Sequence, residues 1–223
     1  MSCIEYMTVT VTKLTDVELL RKAAAFTTGR DCHMTLATAY RNQHSIIRTQ
    51  QFFIELRDIP LFVASQLVRS HVGVQFFQRS KRTDRGGADF RQVCAELAHK
   101  VRRIPYITLN RANSREEISN RIAVLPETFD RDAPTDLAFI CNAEFIINTS
   151  HKRLCTQASA ATRYVWQKIV AQLYDIDPDL YDHCVPQCIY RGGICPEPHS
   201  CGYNKSAIGA PKLKHYVQLM QPK

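Results

Sequence analysis

The spacing of hydrophobic and polar positions changes several times along the chain, and each change marks an element. Met7-Thr8-Val9-Thr10-Val11 alternates apolar and polar residues, which predicts a strand. Asp16 follows as a helix cap, and Leu19, Leu20, Ala23 and Ala25 supply the apolar positions of the helix after it. Phe52-Phe53-Ile54-Glu55-Leu56 reads as a second strand that feeds the run from Ile59-Pro60 to Leu67-Val68. Leu61, Ala64, Leu67 and Val68 repeat there at close to helical spacing, so that face is expected to pack inward. Pro60 suits a first helical turn, where its missing N–H costs nothing. Gly86-Gly87 marks a turn, and Phe90, Val93, Leu97 and Val101 return to helical spacing. Residues 103–114 are irregular and polar, which predicts a loop. A short helix over 115–123 ends before Val124-Leu125-Pro126, and a polar loop with Pro134 follows. Two helices, over about 140–153 and 158–174, precede a cysteine-rich end. Strands toward the front and helices behind predict an α+β domain.

Composition narrows this picture. With 223 residues, 45% of them hydrophobic, the chain can bury one sizeable core. The expected division is a main domain over residues 1–180 with a tail, 181–223, packed on it. No apolar run approaches the roughly 20 residues of a membrane span. Met1-Ser2-Cys3-Ile4-Glu5 lacks the basic flank and long apolar stretch of a secretory signal. A cytoplasmic protein without membrane contact is the expectation. Of nine cysteines, Cys3, Cys32, Cys94, Cys141 and Cys155 are scattered singly, as reduced thiols are. Cys184, Cys188, Cys195 and Cys201 instead fall within eighteen residues, with Gly192-Gly193 between the pairs and Pro186, Pro196 and Pro198 stiffening the loops. One reading is a tetrathiolate zinc site, with His183 or His199 as substitute ligands. The spacing departs from the usual C-x2-C knuckle, and ordinary packed thiols are the other reading.

The net charge of +8 points to an anionic partner. Nucleic acid is not the expected one: the basic residues form no single tract and do not alternate with aromatics as in a single-strand platform. Small basic clusters at 79–85, 100–103 and 151–153 fit nucleotide phosphates about as well. The densest chemistry follows the Pro60 helix. Arg69-Ser70-His71 is succeeded, after eight residues, by Ser80-Lys81-Arg82, with Gln78 and Arg79 just before. Arginine forks and hydroxyls held together are what a phosphate needs; a solvated charge run is the alternative.

The order of these residues resembles the flavin-dependent thymidylate synthases (the ThyX family). Their signature is Arg-His-Arg, seven residues, then Ser-x-Arg, preceded by a Pro-hydrophobic run with Gln. Pro60 to Arg69 fits that run without a gap, with Gln66 in place, and His44 stands where the family has a histidine. Ser70 replaces the central histidine, His71 replaces the second arginine, and the spacer is one residue longer. A second block, Cys141-Asn142-Ala143-Glu144 through Arg153, resembles the family's late helix, Asn-Ala-Arg-x3-Asn-x4-Arg. Asn142, Asn148 and Arg153 fall at the expected spacing, and Glu144 stands where many members have arginine. The cysteine-rich end resembles that of some members. The resemblance spans roughly residues 40–205 as separated blocks in the right order.

The resemblance implies a central antiparallel sheet flanked by helices, and transfer of a one-carbon unit from methylene-tetrahydrofolate to C5 of a pyrimidine deoxynucleotide monophosphate. The expected conversion is dUMP to dTMP, with FAD as cofactor, NADPH as reductant and a homotetramer sharing flavin sites. Arg153 is the implied polarising group, since a fixed guanidinium against the pyrimidine edge stabilises charge developing on N1 and O2. A helix-end arginine favoured by the dipole is the structural alternative. Gln66, Arg69, Gln78, Arg79, Ser80 and Arg82 are implied substrate contacts. His44, Arg69, His71, Asn142 and Asn148 are implied flavin contacts. The altered signature leaves room for a dUMP or dCMP hydroxymethylase. A non-catalytic, zinc-tailed nucleic-acid-binding protein is the reading from outside this class.

Overall fold

The computed structural model describes residues 7–79 and 134–221. The expected turn at Gly86-Gly87, the helices at 89–101 and 115–123, the loop between them, and Ser80 and Arg82 lie outside the described residues.

Four antiparallel strands form one sheet in the order β1-β2-β4-β3: β1 Thr8–Lys13, β2 Gln51–Pro60, β3 Val74–Gln78 and β4 Pro134–Asn142. Alternation decides which side of each strand is buried, and the register aligns those sides into rows. Val11 pairs with Ile54, Ile54 with Phe139, and Phe139 with Phe76, so one apolar row crosses all four strands. Phe52 and Cys141 form a parallel row, as do Leu56 and Leu137, and these side chains are almost fully buried. The regular alternation of β2 breaks at a bulge between Leu56 and Ile59. There Asp58 takes φ 55° and its N–H donates to Asp136 Oδ1 at 3.1 Å. The extra residue lets both Ile59 and Pro60 turn inward and aims the chain into the next helix.

Helices cover the buried face. α1 (Val17–Thr28) starts where Asp16 accepts a hydrogen bond from the Leu19 N–H and stops at Gly29 in the left-handed conformation. α2 (Leu36–Asn42), capped by Thr35, buries Ala39 and Tyr40. α3 (Leu61–Leu67) leaves β2 directly at Pro60 and buries Val63, Ala64 and Leu67, while Leu61 and Val68 are half-buried. α4 (Ala143–Arg153) springs from the end of β4 with Asn142 as its cap. α5 (Ala160–Ile176) carries Thr162, Val165, Trp166, Ile169, Val170 and Leu173 on one buried stripe. Trp166 Nε1 donates to Ser150 Oγ at 2.9 Å, tying α5 to α4. The same helix closes the sheet's β1 edge: the Val11 N–H donates to Gln172 Oε1 at 2.9 Å and Gln172 Nε2 donates to the Val9 carbonyl at 2.5 Å.

The short helix α6 (Pro178–His183) is fixed by Asp177, which is 2% exposed. Its carboxylate accepts from Lys13 Nζ at 2.7 Å, Tyr40 Oη at 2.9 Å and the Leu180 N–H at 3.1 Å. One side chain thereby joins the sheet edge, α2 and the helix it caps. Beyond it, α7 (Gln187–Tyr190) and α8 (Gly209–Met220) enclose a second apolar cluster of Val185, Cys188, Ile189 and Tyr216.

The architecture is α+β, a four-stranded antiparallel sheet flanked by helices. The stretch from Pro134 corrects the expected polar loop, and the expected helix over 140–153 begins only at Ala143. Thr135, Leu137, Phe139 and Cys141 alternate inward, a period-two signal that the Pro-Thr-Asp opening obscures. No helix among the described residues is long and apolar enough to cross a membrane.

Candidate functional site

The ends of α3 and α4 meet although 87 residues separate the groups that touch. Arg153 closes α4, and its Nη2 donates to the main-chain carbonyl of Gln66 in the last turn of α3. Carbonyls of a last helical turn have no partner within the helix and carry the negative end of the dipole, so a guanidinium there is held by both. Gln66 is fixed from the other side: its Oε1 accepts from the Thr162 hydroxyl at 2.7 Å, and Thr162 is fully buried on α5. Three helices thus set the position of one guanidinium.

That guanidinium is under-used where it sits. Its Nε is buried and has no hydrogen-bond partner among the described residues. Burial lowers the Arg153 pKa below the usual arginine range, and the Arg69 charge, just past the end of α3, lowers it further. Two cations brought together, one with a buried donor unpartnered among the described residues, is the electrostatic form of an anion site. Arg69 is exposed.

The other expected site residues are distributed as follows. Asn142, 7% exposed, spends its side chain on the fold: Oδ1 accepts from the Phe145 N–H at 2.9 Å, and its own N–H donates to the Gly73 carbonyl at 2.9 Å. It is a cap here, with Gly73 pressed against its amide. Asn148 is on the exposed side of α4, and His71 and His44 are exposed in connecting turns. Gln78 and Arg79 are not brought to the Arg69–Arg153 junction. They line a separate shallow cavity of about 530 Å³ with Glu55, Arg57 and Asp136, where Arg79 pairs with Asp136 at 3.0 Å. Glu144 makes a bidentate ion pair with Arg48, at 2.7 and 3.1 Å. Nothing in the spacing of the sequence signals that pair.

The four cysteines expected to share a metal do not share a cavity. Cys184 belongs to the main core, where burial pushes its thiol up to about 12 despite a hydrogen bond with Ser150. It lines a cavity of about 690 Å³ with Tyr181, Asp182, Lys212, His215 and Tyr216. Cys188, Cys195 and Cys201 instead line a smaller cavity, about 290 Å³, and the cysteine that joins them is Cys155. As the side chains are arranged, no three cysteine, histidine or carboxylate groups among the described residues stand close enough to hold a metal ion.

No family model matches this chain, and no curated protein matches it.

Proposed function

We propose that this protein transfers a one-carbon unit from methylene-tetrahydrofolate to C5 of a pyrimidine deoxynucleotide, with dUMP to dTMP as the favoured conversion. The observation that carries the reading is the convergence of Arg69 and Arg153 near Gln66, with Arg153 Nε buried and without a hydrogen-bond partner among the described residues. These three are residues of the two blocks that resemble the flavin-dependent synthases, and the fold brings them to one place.

In this reading Arg153 is pre-positioned by the Gln66 carbonyl and offers its remaining donors to the pyrimidine edge, where it stabilises negative charge on N1 and O2 as C5 becomes nucleophilic. Arg69 neutralises the phosphate, and the loss of water around a half-buried guanidinium strengthens both contacts. The flavin, when bound, supplies the electrons that complete the methyl group. Arg69, His71 and Asn148 fit a cofactor laid on the surface, since all three are exposed. Such a ligand is covered when a second copy closes over it, in keeping with the proposed homotetramer. Asn142, committed to its helix cap, acts by holding Asn148 and Arg153 on a well-started helix.

Calorimetric titration with dUMP and with deoxyuridine tests the site. Losing one charge-assisted contact costs about 1.5–3 kcal/mol, roughly 10- to 100-fold in Kd. Arg69→Ala is expected to weaken dUMP by that factor and to leave deoxyuridine nearly unchanged. Absence of dUMP binding to the unaltered protein, or equal losses for both ligands, contradicts the assignment.

A further inference from the structure

None of Gln66, Arg69 and Arg153 lines the cavity of about 690 Å³. It lies at the seam between the two apolar clusters. Val170 and Cys184 line it from the main core, Val185 and Tyr216 from the cluster of the tail. Its volume falls within the roughly 300–1,000 Å³ of small-molecule sites. The lining is rich in rings: Tyr181 on α6, Tyr203 before α8 and Tyr216 on α8, with Pro186 and Pro211. Flat, polarisable faces of this kind favour an aromatic occupant.

The charges of this lining do not balance. With His215 neutral, Arg163 on α5 and Lys212 on α8 are its cations, and Asp182 is the one carboxylate among the described lining residues. Asp182 is engaged, with its Oδ1 3.2 Å from His215 Nε2. Arg163 is half-buried and held in place: its Nη1 donates to the carbonyls of Thr156 at 2.9 Å and Ala158 at 3.2 Å. Its Nε and Nη2 have no hydrogen-bond partner among the described residues. Lys212 is exposed and makes no ion pair among them. Tyr216 is 3% exposed, and its Oη is buried without a hydrogen-bond partner among the described residues. A hydroxyl left unsatisfied in this way is costly.

We propose that this cavity binds a small aromatic carboxylate, at a site distinct from the Arg69–Arg153 junction. The ring body displaces water from the tyrosine and proline faces, a gain that scales with the apolar area covered. The carboxylate pairs with the open edge of the Arg163 guanidinium, whose planar fork matches its two oxygens. Lys212 adds a weaker attraction through solvent. Two cations against one carboxylate leave a single positive charge, which a monoanion balances and a phosphate dianion overshoots. A ligand oxygen gives the Tyr216 hydroxyl the acceptor it lacks.

Calorimetric titration of the full chain with 2-naphthoate, and with 2-naphthalenemethanol as its uncharged counterpart, tests the proposal. Naphthoate should bind once per chain, roughly 10- to 100-fold more tightly than the alcohol, the factor of one charge-assisted contact. Arg163→Gln should remove most of that difference and leave the alcohol unchanged. Lys212→Glu should weaken naphthoate alone, by roughly 3- to 10-fold. Ala171→Trp should fill the cavity and abolish binding of both probes. Lys212 and Ala171 are exposed, so both of these variants are expected to keep the fold. The proposal is overturned if naphthoate shows no saturable binding, if acid and alcohol bind equally, or if Ala171→Trp binds naphthoate as the unaltered protein does.

Discussion

Replacing Arg153 with alanine separates a structural arginine from a functional one. Among the described residues this side chain makes one charge-assisted hydrogen bond, to the Gln66 carbonyl, worth about 1.5–3 kcal/mol. Against that gain stand the partial burial of the charge and the repulsion from Arg69, both of which lower the Arg153 pKa. The net loss of stability on truncation should therefore be small, about 1–2 kcal/mol, or about 2–8 °C in Tm for a chain of this size. The functional loss should be larger. Removing one preorganised donor from developing negative charge costs roughly 100- to 1,000-fold in kcat. Arg153→Lys keeps the charge but not the planar fork, and should recover only part of the rate. Thermal melts beside single-turnover rates decide the matter. If Arg153→Ala turns over normally, or if it merely unfolds, the functional assignment of this residue fails.

Gly73 takes φ 79°, and a Cβ there would lie 2.6 Å from the Asn142 amide. Gly73→Ala should cost about 2–4 kcal/mol through backbone strain and a disturbed cap, read by urea denaturation; a loss under about 1 kcal/mol would show that the cap tolerates the shift. Asp177→Ala leaves Lys13 and Tyr40 facing an empty acceptor and should cost about 3–5 kcal/mol. Asp177→Asn, which keeps an acceptor and the cap, should cost clearly less, and equal melting of the two variants would contradict that account. His183, 1% exposed between the rings of Tyr40 and Tyr216, has its pKa lowered to about 4, chiefly by burial, with Asp182 raising it and Arg41 lowering it. The unfolded chain takes up that proton first as pH falls. The stability tied to neutral His183 is thus complete above about pH 6.5 and is lost between pH 6.5 and 4, with a ceiling of about 3 kcal/mol. His183→Phe should flatten that acid limb in melts taken from pH 7 to 4.5, whereas an unchanged limb would assign it to other groups.

Several local elements were legible in the sequence, whereas α2, β3 and α8 were not read from it. β1, the Asp16 cap, β2, α3 and α5 all announce themselves by period and by capping residues. β4 was not recognised because Leu137-Ala138-Phe139-Ile140 reads equally as a short buried helix, and its neighbour α4 is buried around most of its surface. Period alone cannot distinguish such runs. At the site, the resemblance singled out Gln66, Arg69 and Arg153 separately. What it could not supply was the main-chain carbonyl that holds Arg153, since backbone acceptors leave no trace in residue identity. Asn142 shows the converse: a residue marked for ligand contact spends its polar atoms on a cap and on Gly73. Cys155 reads as a lone thiol because it stands 33 residues before Cys188 and joins the cavity lined by Cys188, Cys195 and Cys201 only through packing at the end of α4.

The most direct measurement of the central claim is the mass of the nucleotide formed when purified protein is incubated with FAD, NADPH, methylene-tetrahydrofolate and dUMP, with dCMP in parallel. The account predicts a product heavier than dUMP by CH2, and its loss in Arg153→Ala. A gain of CH2O would keep the one-carbon transfer but make the protein a hydroxymethylase. Recovery of unchanged dUMP and dCMP from a folded protein that binds the nucleotide would contradict the account.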